Sequence, residues 1–498
     1  MILLSLAVIL PVAILVFSNT RKRLQSARYP PGPPPLPIIG NLHQFDTSNR
    51  YINLWRLAKK YGPLMSMKLG SKRVLVVSSP RIAKEALKTH DLLFCSRPKL
   101  LAQYKLAYDG SDIGYAPYSN SWRELRKICV LHLLSSKQVQ SFRPVREDEV
   151  FRMIRDLSVR AGSGEVANLS LIIVDLTSTL ICRTAFGKMN DEGSGKRRFH
   201  ELLTESQSMK GGFFFSDYIP SLSWVDKLTG MISRLDKICK DFDEFYQELI
   251  DEHLDPNRPK SANPDLLDLL IQLKEENLSP IDLSWNRIKA ILMDTFNAGT
   301  ETTAATIIGA MTALIRNPTI MRRLQREIRE LVGGKGKVTE DDLPKLSYLK
   351  AVIKESMRLY PPAPLLLPRE TMEKCNIEGY IIPAKTLVYI NAWAIARDPE
   401  YWEHPNEFMP ERFLNTKVDI IGQDFQVIPF GAGRRGCPGI MMGLATVELV
   451  LANLLYTFDW DLPVGIKNED IDTETLPGVT ARKKNPLCLV PKQSKYCI

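Results

Sequence analysis

Ten residues constrain this chain more than any other stretch. Phe430-Gly431-Ala432-Gly433-Arg434-Arg435-Gly436-Cys437-Pro438-Gly439 is a glycine-rich loop that carries one cysteine to the start of an apolar helical run, about 439–456. Glycines at four of the ten positions leave backbone amides bare, and Pro438 suits a first helical position. Bare amides and a helix N-terminus favour an anion, so the segment predicts a Cys437 thiolate. A thiolate held this way is a good axial ligand for haem iron, and its electron donation favours O–O cleavage. A buried structural thiol after an ordinary turn is the plainer alternative for any lone cysteine.

The other seven cysteines, at 95, 129, 182, 239, 375, 488 and 497, form no CxxC pair and no small secreted framework. They read as reduced, mostly buried thiols in a cytosol-facing protein. With 44% hydrophobic and 24% charged residues, the 498-residue chain can build a large core, which excludes a mostly disordered chain and a polytopic membrane protein. The net charge of +10 fits nucleic acid, anionic lipid or an acidic protein. Basic residues are scattered rather than interleaved with aromatics, so no nucleic acid is expected and an acidic redox partner accounts for the charge. The six histidines form no HExxH and no zinc pattern with cysteine. No GxGxxG or P-loop frame occurs, so nicotinamide and flavin are expected on a separate protein.

Met1 to Thr20 carries no charged side chain, and Arg21-Lys22-Arg23 follows at once. Twenty uncharged, mostly apolar residues at about 1.5 Å each span a thin endoplasmic-reticulum bilayer, and the basic cluster after them keeps the rest of the chain cytosolic. A cleaved signal peptide would place its positive residues before the apolar run. The expected organisation is therefore an N-terminal transmembrane anchor over 1–20, a basic stop and proline-rich hinge over 21–40, and a catalytic domain over 41–498. The prolines of Pro30-Pro31-Gly32-Pro33-Pro34-Pro35-Leu36-Pro37 predict a stiff spacer.

The body reads as mainly α with a minor β part. Helical spacing covers 49–60, 119–133, 138–160, 170–186, 195–209, 231–253, 319–331 and 346–359. An unusually long periodic segment, 281–315, closes at Asn317-Pro318. A hairpin is expected at 64–69 and 73–78, and short strands such as 386–390 follow the helices.

Phe430, Gly433, Arg435, Cys437 and Gly439 fit every fixed position of Phe-x-x-Gly-x-Arg-x-Cys-x-Gly. In this the chain resembles the cytochrome P-450 superfamily along nearly its whole length, and its wording is similar to the plant microsomal 71-type clan. The resemblance implies the cytochrome P-450 fold with haem b on Cys437. It implies that Glu355 and Arg358 form the ExxR pair, joined by Arg412 of Pro410-Glu411-Arg412-Phe413. Such a network needs bidentate forks and burial to hold the haem-side loops. It implies an acid–alcohol pair in Ala298-Gly299-Thr300-Glu301-Thr302-Thr303, with Glu301 relaying protons and Thr302 bonding oxygen or its own helix. An exposed glutamate beside back-bonded threonines is the alternative. Trp122 and Arg126, with Phe430 and Arg435, would contact the haem, and Arg369 is either a further propionate partner or a surface arginine. Substrate segments map onto 99–115, 213–218, 296–302, 363–367 and 476–479.

These residues together predict a membrane-bound haem-thiolate monooxygenase that oxidises a small lipophilic plant metabolite with O₂ and NADPH-derived electrons. NADPH–cytochrome P-450 reductase is the expected donor, with cytochrome b5 as an optional second one. A haem-thiolate isomerase or dehydratase that uses no O₂, and a non-catalytic haem protein, are the rivals. The segments 213–218 and 254–259 resemble the aldoxime-oxidising and related legume branches.

Overall fold

In this computed structural model, residues 29–187, 194–259, 263–277 and 280–497 are described. The expected anchor and basic stop lie outside them. The segment from Pro30 onward is stitched to the body rather than free. Ser66 N–H donates to Pro31 O at 2.9 Å, Ser66 Oγ to Pro30 O at 2.7 Å, and Asn41 Nδ2 reaches the carbonyls of Pro33 and Pro34. Prolines offer carbonyls but no N–H, and here the sheet and Asn41 use those carbonyls.

The helical expectations hold to within a few residues at most ends. The long segment forms one helix, Trp285–Arg316. Ser284 Oγ caps it by accepting from Arg287 N–H, and Pro318 opens the next helix, Pro318–Val332, where a missing N–H costs nothing. Leu169–Phe186 packs along the long helix. A methyl on Gly299 would stand 2.5 Å from Ile181 Cδ1, so glycine there permits this close approach. Leu169–Phe186, the C-terminal half of the long helix, Ser347–Leu359 and Ile440–Thr457 share one apolar core.

Leu169–Phe186 and Ile440–Thr457 are long and apolar enough to cross a membrane, but 67% of each span is buried in the protein. Both are core helices. The segment 119–133 divides into helix Asn120–Ile128, capped by Ser119, and a π turn, Cys129–Leu133. Leu266–Glu275 is a helix that periodicity did not signal; Asp265 and Asp268 form its capping box.

The β part is small. Leu64–Leu69 and Lys72–Val77 form the expected antiparallel hairpin. Leu387–Ile390 adds to it in parallel and Arg369–Glu370 closes the four-stranded sheet. Cys488–Gln493 pairs with Phe458–Asp461 and Ala167–Asn168 in a second sheet. The first sheet brings Arg369 beside the cysteine loop, which lies some 60 residues further along the chain.

Candidate active site

Gly431 and Gly433 have φ of +69° and +70°, the left-handed region that favours glycine. A methyl on Gly433 would also meet Leu87 O at 2.3 Å. Cys437 N–H donates to Phe430 O at 2.9 Å and Gly436 N–H to Gly433 O at 3.0 Å, which closes the loop around the cysteine. Pro438 is not the first helical residue: it sits in a turn, Gly439 is the cap and the helix begins at Ile440.

Cys437 has accessible surface, yet protein surrounds it, because that surface belongs to an internal cavity. Burial pushes its thiol up. The Gly439 N–H and the Arg126 charge pull the other way with less effect. The bare amides do not by themselves offset that desolvation, and a bound metal cation would favour the thiolate.

The cavity has a volume of about 310 Å³, at the lower end of the roughly 300–1,000 Å³ of small-molecule and cofactor sites. Ala298, Gly299, Thr302, Thr303 and Thr306 of the long helix form part of its wall, with Ala363, Leu366 and Leu367 and the cysteine loop. Leu366 sits at φ +53°, a conformation a branched side chain rarely adopts.

Four arginines, Arg97, Arg126, Arg369 and Arg435, line the same cavity. Arg435 donates to the carbonyls of Cys95, Ile113 and Ala116. Arg97 donates to those of Gly114, Leu367 and Pro368, and Arg126 to that of Gly436. Arg369 donates to Ala432 O at 3.0 Å and alone has a carboxylate nearby, Asp91 at 3.7 Å. It is 2% exposed, so the surface alternative for it is excluded. Burial pushes Arg369 down to about 10 and Arg435 down to about 9. Among the described residues, three of these four cations have no ion-pair partner. An anion with two carboxylates, such as a haem with its propionates, fits this excess of positive charge.

Residues 30–489 match the family model described as Cytochrome P450. The chain belongs to the cytochrome P450 family. A 6,7,8-trihydroxycoumarin synthase of Pastinaca sativa is 51% identical over 96% of this chain and 95% of its own. A 5-OH-xanthotoxin synthase of the same species is 50% identical over 95% of each. A zebra fish cytochrome P450 solved with progesterone superposes with a TM-score of 0.75 at 25% identity, covering 89% of this chain and 99% of its own. This P450 is thus a haem-thiolate oxidoreductase of the monooxygenase class, taking NADPH-derived electrons through a reductase and oxidising a small lipophilic plant metabolite.

The Glu355–Arg358–Arg412 network of this P450 is assembled. Arg358 forks onto Glu355 with Nε to Oε2 at 2.7 Å and Nη2 to Oε1 at 2.9 Å. Arg412 Nε reaches the same Oε1 at 3.1 Å. Arg358 also donates to the carbonyls of Ala396, Pro405 and Glu407, so one fully buried cation ties the Pro-rich stretch to helix Ser347–Leu359.

Trp122 is absent from the cavity wall. Its indole N–H is committed to Ile113 O at 3.0 Å, and the Arg435 guanidinium carbon lies 3.8 Å from its ring centroid. Trp122 thereby supports Arg435. Asp294 of the long helix accepts from Ile113 and Gly114 N–H, and Asp112 from Tyr115 and Ala116 N–H. These two buried carboxylates hold the loop whose carbonyls receive Arg435.

Thr302 faces the cavity, and its hydroxyl donates to Ala298 O at 2.6 Å. The helix continues unbroken through it, so the hydroxyl turns its lone pairs, not its proton, to the cavity. Glu301 is 5% exposed and lies outside the wall. Its Oε1 is 3.4 Å from Arg482 Nη1, and its Oε2 has no partner. Burial pushes it up to about 7, against the charges of Arg482 and Lys210. Of the expected substrate segments, all contribute wall residues to this cavity or to a second one that adjoins it. Within 296–302, Phe296, Thr300 and Glu301 are outside the wall, and Phe296 packs in the core against Phe242 and Phe245. Sequence reasoning missed Arg97, Ile181 and Lys210, none of which lies in a motif.

Proposed function

We propose that this protein hydroxylates an aromatic plant metabolite of the coumarin kind, with Cys437 as the axial ligand of haem b. One arrangement carries the reading: a lone cysteine in the wall of a cavity faced by Thr302 and lined by four arginines, three of them without an ion-pair partner among the described residues. The coumarin-directed relatives favour aromatic hydroxylation over the aldoxime oxidation suggested by 213–218 and 254–259. When bound, haem supplies the iron that activates O₂. One oxygen atom enters the substrate, the other leaves as water, and NADPH provides both electrons.

The chain's own residues do the rest. Cys437 would hold the metal, and Arg97, Arg126, Arg369 and Arg435 would neutralise the two carboxylates. Phe430 of the loop lines the cavity and would contact the cofactor. Thr302 Oγ1 accepts a proton-bearing group in the cavity, and Glu301 Oε2 holds a proton near neutral pH. A 3.4 Å contact to Arg482 is a poor restraint, so the Glu301 side chain can turn from it. An NADPH- and O₂-consumption assay with reductase and a coumarin panel tests the reading; consumption without hydroxylated coumarin would refute it.

Thr302→Ala should keep the ferrous–CO spectrum and cut coupled turnover by up to about 10²-fold, the cost of one lost oxygen-stabilising contact. NADPH is still consumed and hydrogen peroxide rises. Glu301 is protonated below about 7 and ionised above it, so its donor capacity falls as pH rises through that value. Product formed per NADPH should decline above neutrality in the natural protein, whereas Glu301→Gln lowers turnover and flattens that decline.

The remaining assignments concern partners and place. Met1 to Thr20 anchors the chain in the endoplasmic-reticulum membrane with the body cytosolic, NADPH–cytochrome P-450 reductase is the donor, and cytochrome b5 is an optional second one. The positive net charge supports an acidic partner. Trp224 and Leu228 on helix Ser223–Leu228 are 57% and 77% exposed, an apolar face suited to lipid. Deleting residues 1–23 should therefore release the protein from microsomes only in part, and adding Trp224→Ser and Leu228→Ser should complete the release into the supernatant.

A further inference from the structure

Helix Ser194–Gly211 ends where the Cys437 cavity meets the second cavity, and Lys210, Leu366 and Val479 line both. Lys210 is 8% exposed. Its amine has no hydrogen bond and no ion pair with any described residue; the nearest aromatic ring, Tyr115, is centred 5.7 Å away. Asp294, Asp112 and Glu301 are close enough to act on it through space. Both oxygens of Asp112 and Oδ2 of Asp294 accept from backbone N–H groups, and Oε1 of Glu301 is turned to Arg482. Burial pushes the amine down. A buried ammonium without a partner is costly, and a ligand that brings an acceptor oxygen relieves that cost. Away from its arginines, Asp294 and the amides of Gln207 and Asn297, the wall is apolar or hydroxyl-bearing, so it fits a flat aromatic body with one acidic edge.

We propose that Lys210 is the specificity anchor of the substrate cavity and binds a phenolic oxygen of the substrate, stabilising it as the phenolate. This rests on the aromatic-hydroxylation reading above. A methyl ether of the same phenol cannot ionise and adds bulk at the oxygen, so the anchor discriminates between the two.

The test is a spin-state titration of the haem-loaded protein with 7-hydroxycoumarin, 7-methoxycoumarin, 2-naphthol and 2-methoxynaphthalene. The phenols should bind at least about tenfold tighter than their ethers, the scale of a hydrogen bond to a charged group. Lys210→Met, at normal ferrous–CO yield, should erase that preference while leaving ether affinity little changed, and Lys210→Arg should restore it. Equal binding of phenol and ether by the natural protein, or an unaltered preference in Lys210→Met, overturns the anchor. Binding of the naphthalenes with no response to either coumarin overturns the coumarin reading and leaves the anchor to the naphthol pair. No response to any of the four overturns both.

Discussion

Cys437→His should abolish the strongly red-shifted Soret band of the ferrous–CO complex and, with it, all product formation. Imidazole is a neutral ligand and cannot donate electron density as a thiolate does, which is the property that favours O–O cleavage. The ring is also larger than the thiol it replaces, in a loop where Gly433 already has no room for a methyl group. A reduced-CO difference spectrum of the purified variant checks the result. Survival of the band would assign the iron to another cysteine. The structure offers no ready substitute, because among the described cysteines only Cys437 lines the cavity.

The second large effect is expected at Glu355. Both Glu355 and Arg358 have side chains with no exposure. Removing the carboxylate leaves a buried guanidinium uncompensated, and breaking a buried pair in this way costs about 3–5 kcal/mol. Net stabilities are only about 5–15 kcal/mol. Glu355→Ala should therefore give little folded, haem-loaded protein at growth temperature, and thermal unfolding of the residue that is recovered should begin far below that of the natural protein. Arg358→Lys should fare almost as badly. Lysine keeps the charge but loses the fork onto Glu355 and cannot serve the carbonyls of Ala396, Pro405 and Glu407 at once. Normal yield and unchanged unfolding for both variants would remove the structural role from this network.

Much of the molecule was legible in its sequence because the decisive signals are local. Asn317-Pro318 ends the long helix where expected, since proline has no N–H to give and suits the opening turn of the next helix. The hairpin at 64–77 announces itself by two short runs either side of Gly70-Ser71, the second rich in valine. Glu355 and Arg358, three residues apart, share a helix face whatever surrounds them.

What remained hidden depends on tertiary placement. Arg97 looks like any arginine before a proline until Gly114, Leu367 and Pro368 bring their carbonyls to it. Lys210 reads as the solvated end of an amphipathic helix. The Trp122 indole donates to Ile113, nine residues away, a pairing that no local pattern announces. The burial of Cys437 cannot be read from a loop's own amides. Leu266–Glu275 went unseen because its apolar residues run almost unbroken through five of its first six positions, so no helical period stands out.

The arginine-lined wall also bears on how such a protein is made and kept in a cell. Cations crowded into one desolvated wall repel one another, so the charge that receives a cofactor opposes compaction until the cofactor arrives. A ligand that binds only the folded chain stabilises it in proportion to the logarithm of its free concentration over its dissociation constant. The lifetime of this enzyme is then tied to the supply of haem, and when haem runs short the unloaded chain is the form that proteases remove first.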